Sequence, residues 1–572
     1  MRRHGARHRW SLREEQDRDG GEEAVLTLDR RLVALLVLTA VFPAVEAAVL
    51  VAMGFVAAEG IAPQVSAVWP YDTYHDLRWL FVYHQSWLEF ALWLAYIALT
   101  RGGLTTILVA LAWPVEAQRP PVRQLLKRNI GISAAVTVLV LPWAVISVAA
   151  SVVALSWVLL ASLLPMFLLA PFLQRAAAVG PWWRGLPSLP LVGWTLLNFV
   201  VLTMAGAVAW SVPGWWTVPV AGAAGVANGM LWNRTVRAAV LAPRLRWARV
   251  PVAPIVALLA LVVPLLIPSL VSTVPGNQLR TEDVLLTRPL PAEVTEAVVV
   301  LAGYGSAYGG EQPPDPRAER FSYRGLGPDG KPLPYRPQDT TISVADSVGL
   351  LAAQVDRLHR RTGRKVALVG ESEGAIVART YLAQRPHPAV VALVMFSPLI
   401  NAGRAYYPPR GQEHGWGVVT GWMLRALFGL GRLAGAPGNG PDEPFIRSLL
   451  DDAPFYRNQL MCPVPGVRMV AFLPYTTAAE APPGDYTGIP VFQTPGVHGG
   501  LLNRALVQDR LVNFLGGELV QRTRREYPLL QRLGAAWQAP PLTISANPVW
   551  EESEQPDPAL TGKACQPARK PR

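Results

Sequence analysis

The stretch Lys365-Val366-Ala367-Leu368-Val369-Gly370-Glu371-Ser372-Glu373-Gly374-Ala375 decides how the C-terminal half of the chain is read. Its first five residues form a short, largely apolar run of the kind that builds a strand buried on both faces. The pattern Gly-x-Ser-x-Gly follows, and residues 375–382 continue with helical spacing. A sharp turn from strand into helix holds such a serine in a strained backbone conformation with its hydroxyl exposed. The flanking glycines, Gly370 and Gly374, avoid collisions with the neighbouring strand and helix. Five residues alone are a weak signal; the strand, turn and helix around them make Ser372 a candidate nucleophile.

Outward from this turn, beginning near residue 293, short β-branched runs alternate with amphipathic helices, which predicts an α/β domain with a mostly parallel sheet. Strands are expected at 297–301, 320–323, 365–369, 390–396, 467–473 and 490–493. The clearest helix is expected over 343–361, with Val344, Val348, Leu351, Val355 and Leu358 on one face and Gly363 placed to end it.

A serine hydroxyl is a weak nucleophile until a base accepts its proton, so a histidine is expected after the last strand. The loop Thr494-Pro495-Gly496-Val497-His498-Gly499-Gly500 supplies His498. His359 lies on a helix before the turn, and His387 and His414 fall in loops, so none of them suits. Two backbone N–H groups must stabilise a developing oxyanion. Glu373, directly after the serine, offers one, and Tyr304 in the loop Ala302-Gly303-Tyr304-Gly305-Ser306 offers the other.

At these residues, over about 293–517, the chain resembles the α/β-hydrolase superfamily: Gly-rich loop, serine turn and histidine loop follow in family order. The resemblance implies hydrolysis or transfer of ester, thioester or amide acyl groups through an acyl-enzyme, without naming a substrate. It also implies an acid just after the penultimate strand, and here the sequence departs from the pattern. That turn reads Pro474-Tyr475-Thr476-Thr477-Ala478-Ala479-Glu480. Glu480 is the nearest candidate and Asp485 the next, while Asp451 and Asp452 qualify only if an insertion folds back; a Ser/His dyad or a degenerate site stays open. The segment between Phe396 and Val467 is too long for a plain connection. The family resemblance implies a lid at about 403–462, whose Trp416, Trp422, Met423, Leu424, Leu427 and Leu430 suit either lipid admission or packing.

The N-terminal half reads differently. Apolar residues make up 51% of the chain and charged residues 16%, against roughly 25% charged in an ordinary soluble domain. The excess lies before about residue 273. Seven stretches approach the roughly 20 residues a membrane span needs: 32–56, 80–100, 130–149, 152–173, 191–210, 212–232 and 252–271. Residues 104–113 are too few to cross and are expected as an interfacial helix. Basic residues fill alternate connections: Arg30 and Arg31; Arg119, Arg123, Lys127 and Arg128; Arg175 and Arg184; Arg234, Arg237, Arg244, Arg246 and Arg249. Positive charge marks the cytoplasmic side. A multi-pass plasma-membrane protein with a cytoplasmic N-terminus and an extracytoplasmic α/β domain is therefore expected. The opposing first loop holds Glu59, Trp69, Tyr71, Asp72, Tyr74 and Asp76. Glu46 and Glu89, near the middle of the first two spans, are candidates for a proton relay or for helix packing, with His84 near the outer face.

The expected organisation is a polar N-terminus at 1–31, which does not read as a cleaved signal peptide; an all-α transmembrane domain at 32–272; the α/β domain at 273–538; and an extended Pro-rich tail at 539–572. The net charge of +12 is scattered rather than gathered on one face with aromatics, which argues against nucleic acid. Cys462 and Cys565 have no metal-ligand spacing, so no metal and no cofactor is expected, while one disulfide between them is possible. Partners are expected to be membrane lipids and a small-molecule or lipid ester substrate; oligomeric state is not legible. Three readings follow: a membrane-anchored serine hydrolase, a non-catalytic hydrolase-like binding protein, and a transporter carrying an appended enzyme.

Overall fold

A computed structural model describes residues 30–242, 250–260, 284–386, 388–433, 440–480, 488–496, 498–502, 504–518 and 528–566. The expected N-terminal segment is thus described only from Arg30 onward.

The sheet forms where β-branched residues crowd. Its strands are β1 (Ala297–Leu301), β2 (Ala318–Arg320), β3 (Val366–Glu371), β4 (Val390–Phe396), β5 (Arg468–Pro474) and β6 (Val491–Thr494). They pair in parallel in the order β2-β1-β3-β4-β5-β6. Alternation of side chains divides each strand between two cores. Val299, Leu301, Leu368, Leu393, Met395, Ala471 and Leu473 face α8 (Val344–Thr362) and α9 (Glu373–Gln384). Val298, Val300, Ala367, Val369, Val394 and Phe472 face the opposite core with Leu511 and Phe514 of α12 (Ala505–Leu515). Every residue of β1 and β3 is buried, as a parallel sheet covered on both sides requires. The strand expected at 320–323 lies slightly earlier, and the helix expected at 343–361 runs one residue later at each end, closed by Gly363 at φ 68°.

The N-terminal half is helical: α1 (Arg30–Ala52), α2 (Tyr71–Val82), α3 (Trp87–Ala112), α4 (Val122–Val153), α5 (Ser156–Ala178), α6 (Leu189–Ala209) and α7 (Thr217–Leu241). Five stretches among the described residues are long and apolar enough to cross a membrane: α1, α3, α4, most of α5 and α6. Seven were expected. The stretch 80–100 is not one helix, because the chain breaks at Tyr83–Ser86 and restarts with Ser86 accepting the Glu89 N–H (3.2 Å). Glu89 in turn accepts the Gln85 N–H (2.7 Å), so it caps a helix start rather than sitting mid-span. Residues 104–112, expected at the interface, are instead the second half of α3. The stretch expected at 212–232 belongs to α7, which is not among the five and carries Asn228, Asn233, Arg234 and Arg237. The last expected span is helical over 252–260 and otherwise lies outside the described residues, as do Arg244, Arg246 and Arg249.

The connection between the first two expected spans carries structure of its own. Residues 56–82 fold as a 3-10 helix (Val56–Gln64) and α2, and Trp69, Tyr71, Tyr74 and Arg78 are completely buried. Such polar burial is tolerable only with partners. Arg78 donates to the carbonyls of Tyr74 (3.2 Å) and Gln538 (2.6 Å). His75 lies 2.9 Å from both Glu46 and Asp76, and Arg101 of α3 clasps Asp76.

Two findings concern the C-terminal half. The apolar helix of the insertion, α10 (Val418–Leu433), places Val418, Val419 and Leu424 in one core with the helical domain. Its entry is pinned there by His84, whose Nδ1 faces the Leu80 carbonyl (2.7 Å) and whose Nε2 accepts the Val419 N–H (2.9 Å). The tail is not an extended surface segment, because its few apolar residues are anchors that composition averages away. Trp537 stacks on Phe199 of α6 (centroids 4.5 Å) and donates to Thr203 (2.9 Å), while Trp550 donates to the Leu450 carbonyl (2.7 Å). A disulfide joins Cys462 to Cys565. Residues 567–572 lie outside the described residues.

Candidate active site

The centre of the site is the turn between β3 and α9. Ser372 sits at φ 53°, ψ −114°, a conformation that L residues avoid and that persists only where surroundings impose it. The Ser372 N–H donates to the Phe396 carbonyl of β4 (2.8 Å), which ties the turn to the sheet. Each glycine of the pattern marks a close approach. A Cβ on Gly370 would lie 2.5 Å from the Gly374 carbonyl oxygen, and one on Gly374 would lie 2.4 Å from the Leu301 carbonyl oxygen. A larger residue at 370 would collide with the first turn of α9, and one at 374 would collide with β1.

Within this frame the two groups expected to act together do meet. His498 Nε2 lies 2.8 Å from Ser372 Oγ, across 126 residues of sequence, delivered by the loop after β6. That is the distance a base needs to accept a hydroxyl proton. Burial pushes the His498 imidazole down to about 4, so it is neutral at pH 7 and able to accept.

The loop after β1 lies against the same serine. A Cβ on Gly303 would stand 3.0 Å from Ser372 Cβ, so only glycine lets this backbone come so near. Three contacts fix the loop. Tyr323 donates to the Ala302 carbonyl (2.7 Å), Thr340 Oγ1 accepts the Gly305 N–H (2.9 Å), and the Tyr304 hydroxyl donates to Glu443. The Tyr304 ring also stacks on Phe445 at 5.5 Å. Glu443 and Phe445 belong to the insertion, at the start of α11 (Pro444–Asp451). No sequence signal marks Glu443. Glu373 opens α9, where a helix leaves its first N–H groups without helical acceptors. Its carboxyl is buried beside Tyr323, and burial raises it well above the usual carboxylate range.

Glu480 does not join the pair. It lies at the end of a short turn after β5, buried with Ser151, Leu159, Arg404 and Gln538 around a small cavity at the helical domain. Burial raises its carboxyl well above the usual range, opposed by the Arg404 guanidinium. Among the described residues no carboxylate forms an ion pair or hydrogen bond with His498; Asp485 lies outside them. Asp451 pairs with Arg447 (3.0 Å) instead.

Direction matters as well as distance. Ser372, Tyr304, Arg404 and Glu480 all follow the C-terminal ends of their strands, and that edge is the one docked on the helical domain. Gly403 donates to the Val152 carbonyl (2.7 Å) and Arg404 to the Ser151 carbonyl (3.2 Å), both at the end of α4. Val153 and Leu155 pack against the same core as Tyr304.

The chain matches no family model, and no curated protein sequence matches it significantly. Among the described residues no group of three or more His, Cys, Asp or Glu side chains is arranged to hold a metal ion. What the arrangement can do chemically is deliver a hydroxyl to a neutral imidazole beside two backbone segments rich in N–H groups.

Proposed function

We propose that this chain is a membrane-anchored serine hydrolase of the α/β-hydrolase type, cleaving ester-type acyl bonds outside the cytoplasm. The observation that carries the reading is the 2.8 Å contact between His498 Nε2 and Ser372 Oγ at a strained strand-to-helix turn. As Ser372 Oγ attacks the acyl carbonyl carbon, His498 takes the hydroxyl proton. The oxyanion is held by the N–H groups of Glu373 and Tyr304. Collapse of the tetrahedral intermediate breaks the bond to the leaving alcohol, which departs with the proton from His498. A water then repeats the sequence and releases the acid.

Placement supports a substrate class. The reactive edge faces the helical domain, whose apolar helices suit a bilayer, so an acyl lipid or acylated envelope component fits better than a soluble ester. Basic residues at Arg30, Arg31 and Arg119 to Arg128 favour a cytoplasmic location for those connections, and the Cys462–Cys565 disulfide favours an oxidising compartment for the α/β domain.

Fluorophosphonate labelling tests the reading. A single adduct on the peptide bearing Ser372 is expected, absent in Ser372→Ala and reduced by roughly 10³-fold or more in His498→Ala. Equal labelling of wild type and Ser372→Ala would overturn it. Labelling by an impermeant probe in intact cells, unchanged on permeabilisation, is the expected sign of an external site. One observation favours a second reading, a hydrolase-like binding protein: His498 has no carboxylate partner among the described residues. In that case wild type would show no adduct at all.

A further inference from the structure

The helical domain holds a second recess, unrelated to Ser372. Between α1, the segment 65–83 and α3 lies a cavity of about 560 Å3, within the roughly 300–1,000 Å3 typical of small-molecule sites. Its walls are mainly apolar and aromatic, including Trp79, Leu80, Trp93, Tyr96, Ile97 and Leu104. Along α3 it extends from Trp93 to Leu104, about 16 Å at the helical rise.

Two features say what fills it. The mouth is bordered by Phe42, Trp93 and Tyr96, which are 41%, 49% and 56% exposed. These residues continue outward-facing rows: Val37, Val41, Val45 and Val49 on α1, and Leu88, Leu92 and Leu99 on α3. Both helices are long and apolar enough to span a bilayer, so molecules at this mouth would be lipids rather than water. The second feature is the floor. Arg101 is engaged by Asp76 and by the Val65 carbonyl, Asp76 by His75, and His75 by Glu46. These charges satisfy one another, so the floor calls for no ionic ligand, yet it holds the helices apart and keeps the recess open.

We propose that this recess is a lipid site, taking one hydrocarbon chain of a membrane lipid sideways between α1 and α3. It rests on the reading of the helical domain as membrane-embedded and is independent of the chemistry at Ser372. Tyr83 places it beside the α/β half. That residue lines the recess, donates to the Pro541 carbonyl (2.8 Å) and packs against Trp416 of the insertion (5.7 Å). A chain held there lies beside the insertion and the C-terminal segment of the half that carries Ser372.

The test uses the full chain in nanodiscs of phosphatidylglycerol doped with a phosphatidylglycerol bearing a diazirine on one acyl chain. After illumination, adducts are mapped by peptide mass spectrometry. Adducts are expected to concentrate on Ile97, Leu104 and Trp79, above the yield on Leu92 and Leu99 of the outer row. Thr100→Trp, at an exposed position lining the recess, should lower the inner adducts several-fold and leave the outer ones unchanged; Ile97→Phe serves the same purpose from the inner wall, read at Leu104 and Trp79. Even adduct yields along α1 and α3, insensitive to both substitutions, would overturn the proposal. A chain that fails to enter nanodiscs, or gives no adducts on either row, would instead overturn the membrane reading on which it rests. Fluorophosphonate labelling of the same samples reports the α/β domain separately.

Discussion

Two histidines show how differently the two halves of this molecule handle polar side chains. His75, in the helical half, has a carboxylate at each ring nitrogen, Glu46 and Asp76, both at 2.9 Å, and Arg101 completes the chain. His498, in the α/β half, has a serine hydroxyl at one nitrogen and no carboxylate among the described residues. A network closed on both sides holds helices together and has nothing left to give a ligand. A histidine left neutral and facing, among the described residues, a hydroxyl on a strained turn is poised to accept a proton. The first arrangement is architecture, and the second is the proposed chemistry.

That contrast can be broken by exchanging the expected effects. Asp76→Asn leaves the buried Arg101 without its full counter-ion, and breaking such a pair costs about 3–5 kcal/mol. Thermal unfolding in detergent should fall accordingly, while Ser372 labelling per folded molecule stays at the wild-type level. His498→Ala should do the reverse, abolishing labelling with little change in unfolding temperature. If Asp76→Asn silenced labelling in protein that remains folded, the two regions would be coupled and the division drawn here would fail.

Smaller in size is the pH dependence. With His498 pushed down to about 4 rather than the ordinary value near 6.5, the neutral base persists as pH falls. Protonation removes the acceptor, so activity is lost only as pH drops through about 4. At pH 5 the hydrolase activity proposed above should be roughly thirtyfold higher than for a site whose histidine titrates at the ordinary value. A rate profile of ester hydrolysis with an acid limb near 6.5 would show that His498 is not buried as described. Smallest is Glu443→Gln, which weakens the anchor of Tyr304 and so loosens the loop against Ser372. A fall of roughly three- to tenfold in kcat with KM unchanged is expected, and steady-state kinetics would show it.

The sequence was most legible where one local pattern dictates one structure. β1 and β4 fall on the residues that the β-branched runs marked, and the Gly-x-Ser-x-Gly turn is explained by collisions that any Cβ at 370 or 374 would cause. His498 was found by order along the chain, and the structure puts it beside Ser372. Hydropathy was a poorer guide in the helical half, because it sums over windows. It passed through the break at Tyr83–Ser86, although Ser86 and Glu89, three residues apart, form a recognisable helix-start signal. It also read residues 71–79 as part of a connecting loop and could not show that they form a buried helix; the ion pairs that let α2 be buried join residues far apart in sequence, such as Asp76 with Arg101. The tail misled by composition in the same way. Trp537 and Trp550 are two residues among many prolines and charges, yet they set where the segment lies. The acid was the least legible part, since Glu480 stands where a triad acid would in sequence and turns to Arg404 in space.

The central claim is that Ser372 is acylated with His498 as its base. Rapid mixing of the full chain in nanodiscs with a p-nitrophenyl acyl ester, quenched with acid and analysed by peptide mass spectrometry, tests it most directly. The account predicts an acyl group on the Ser372 peptide, appearing in step with a burst of nitrophenol and missing in His498→Ala. Nitrophenol release without acylation of that peptide, or a burst that survives in His498→Ala, would contradict it.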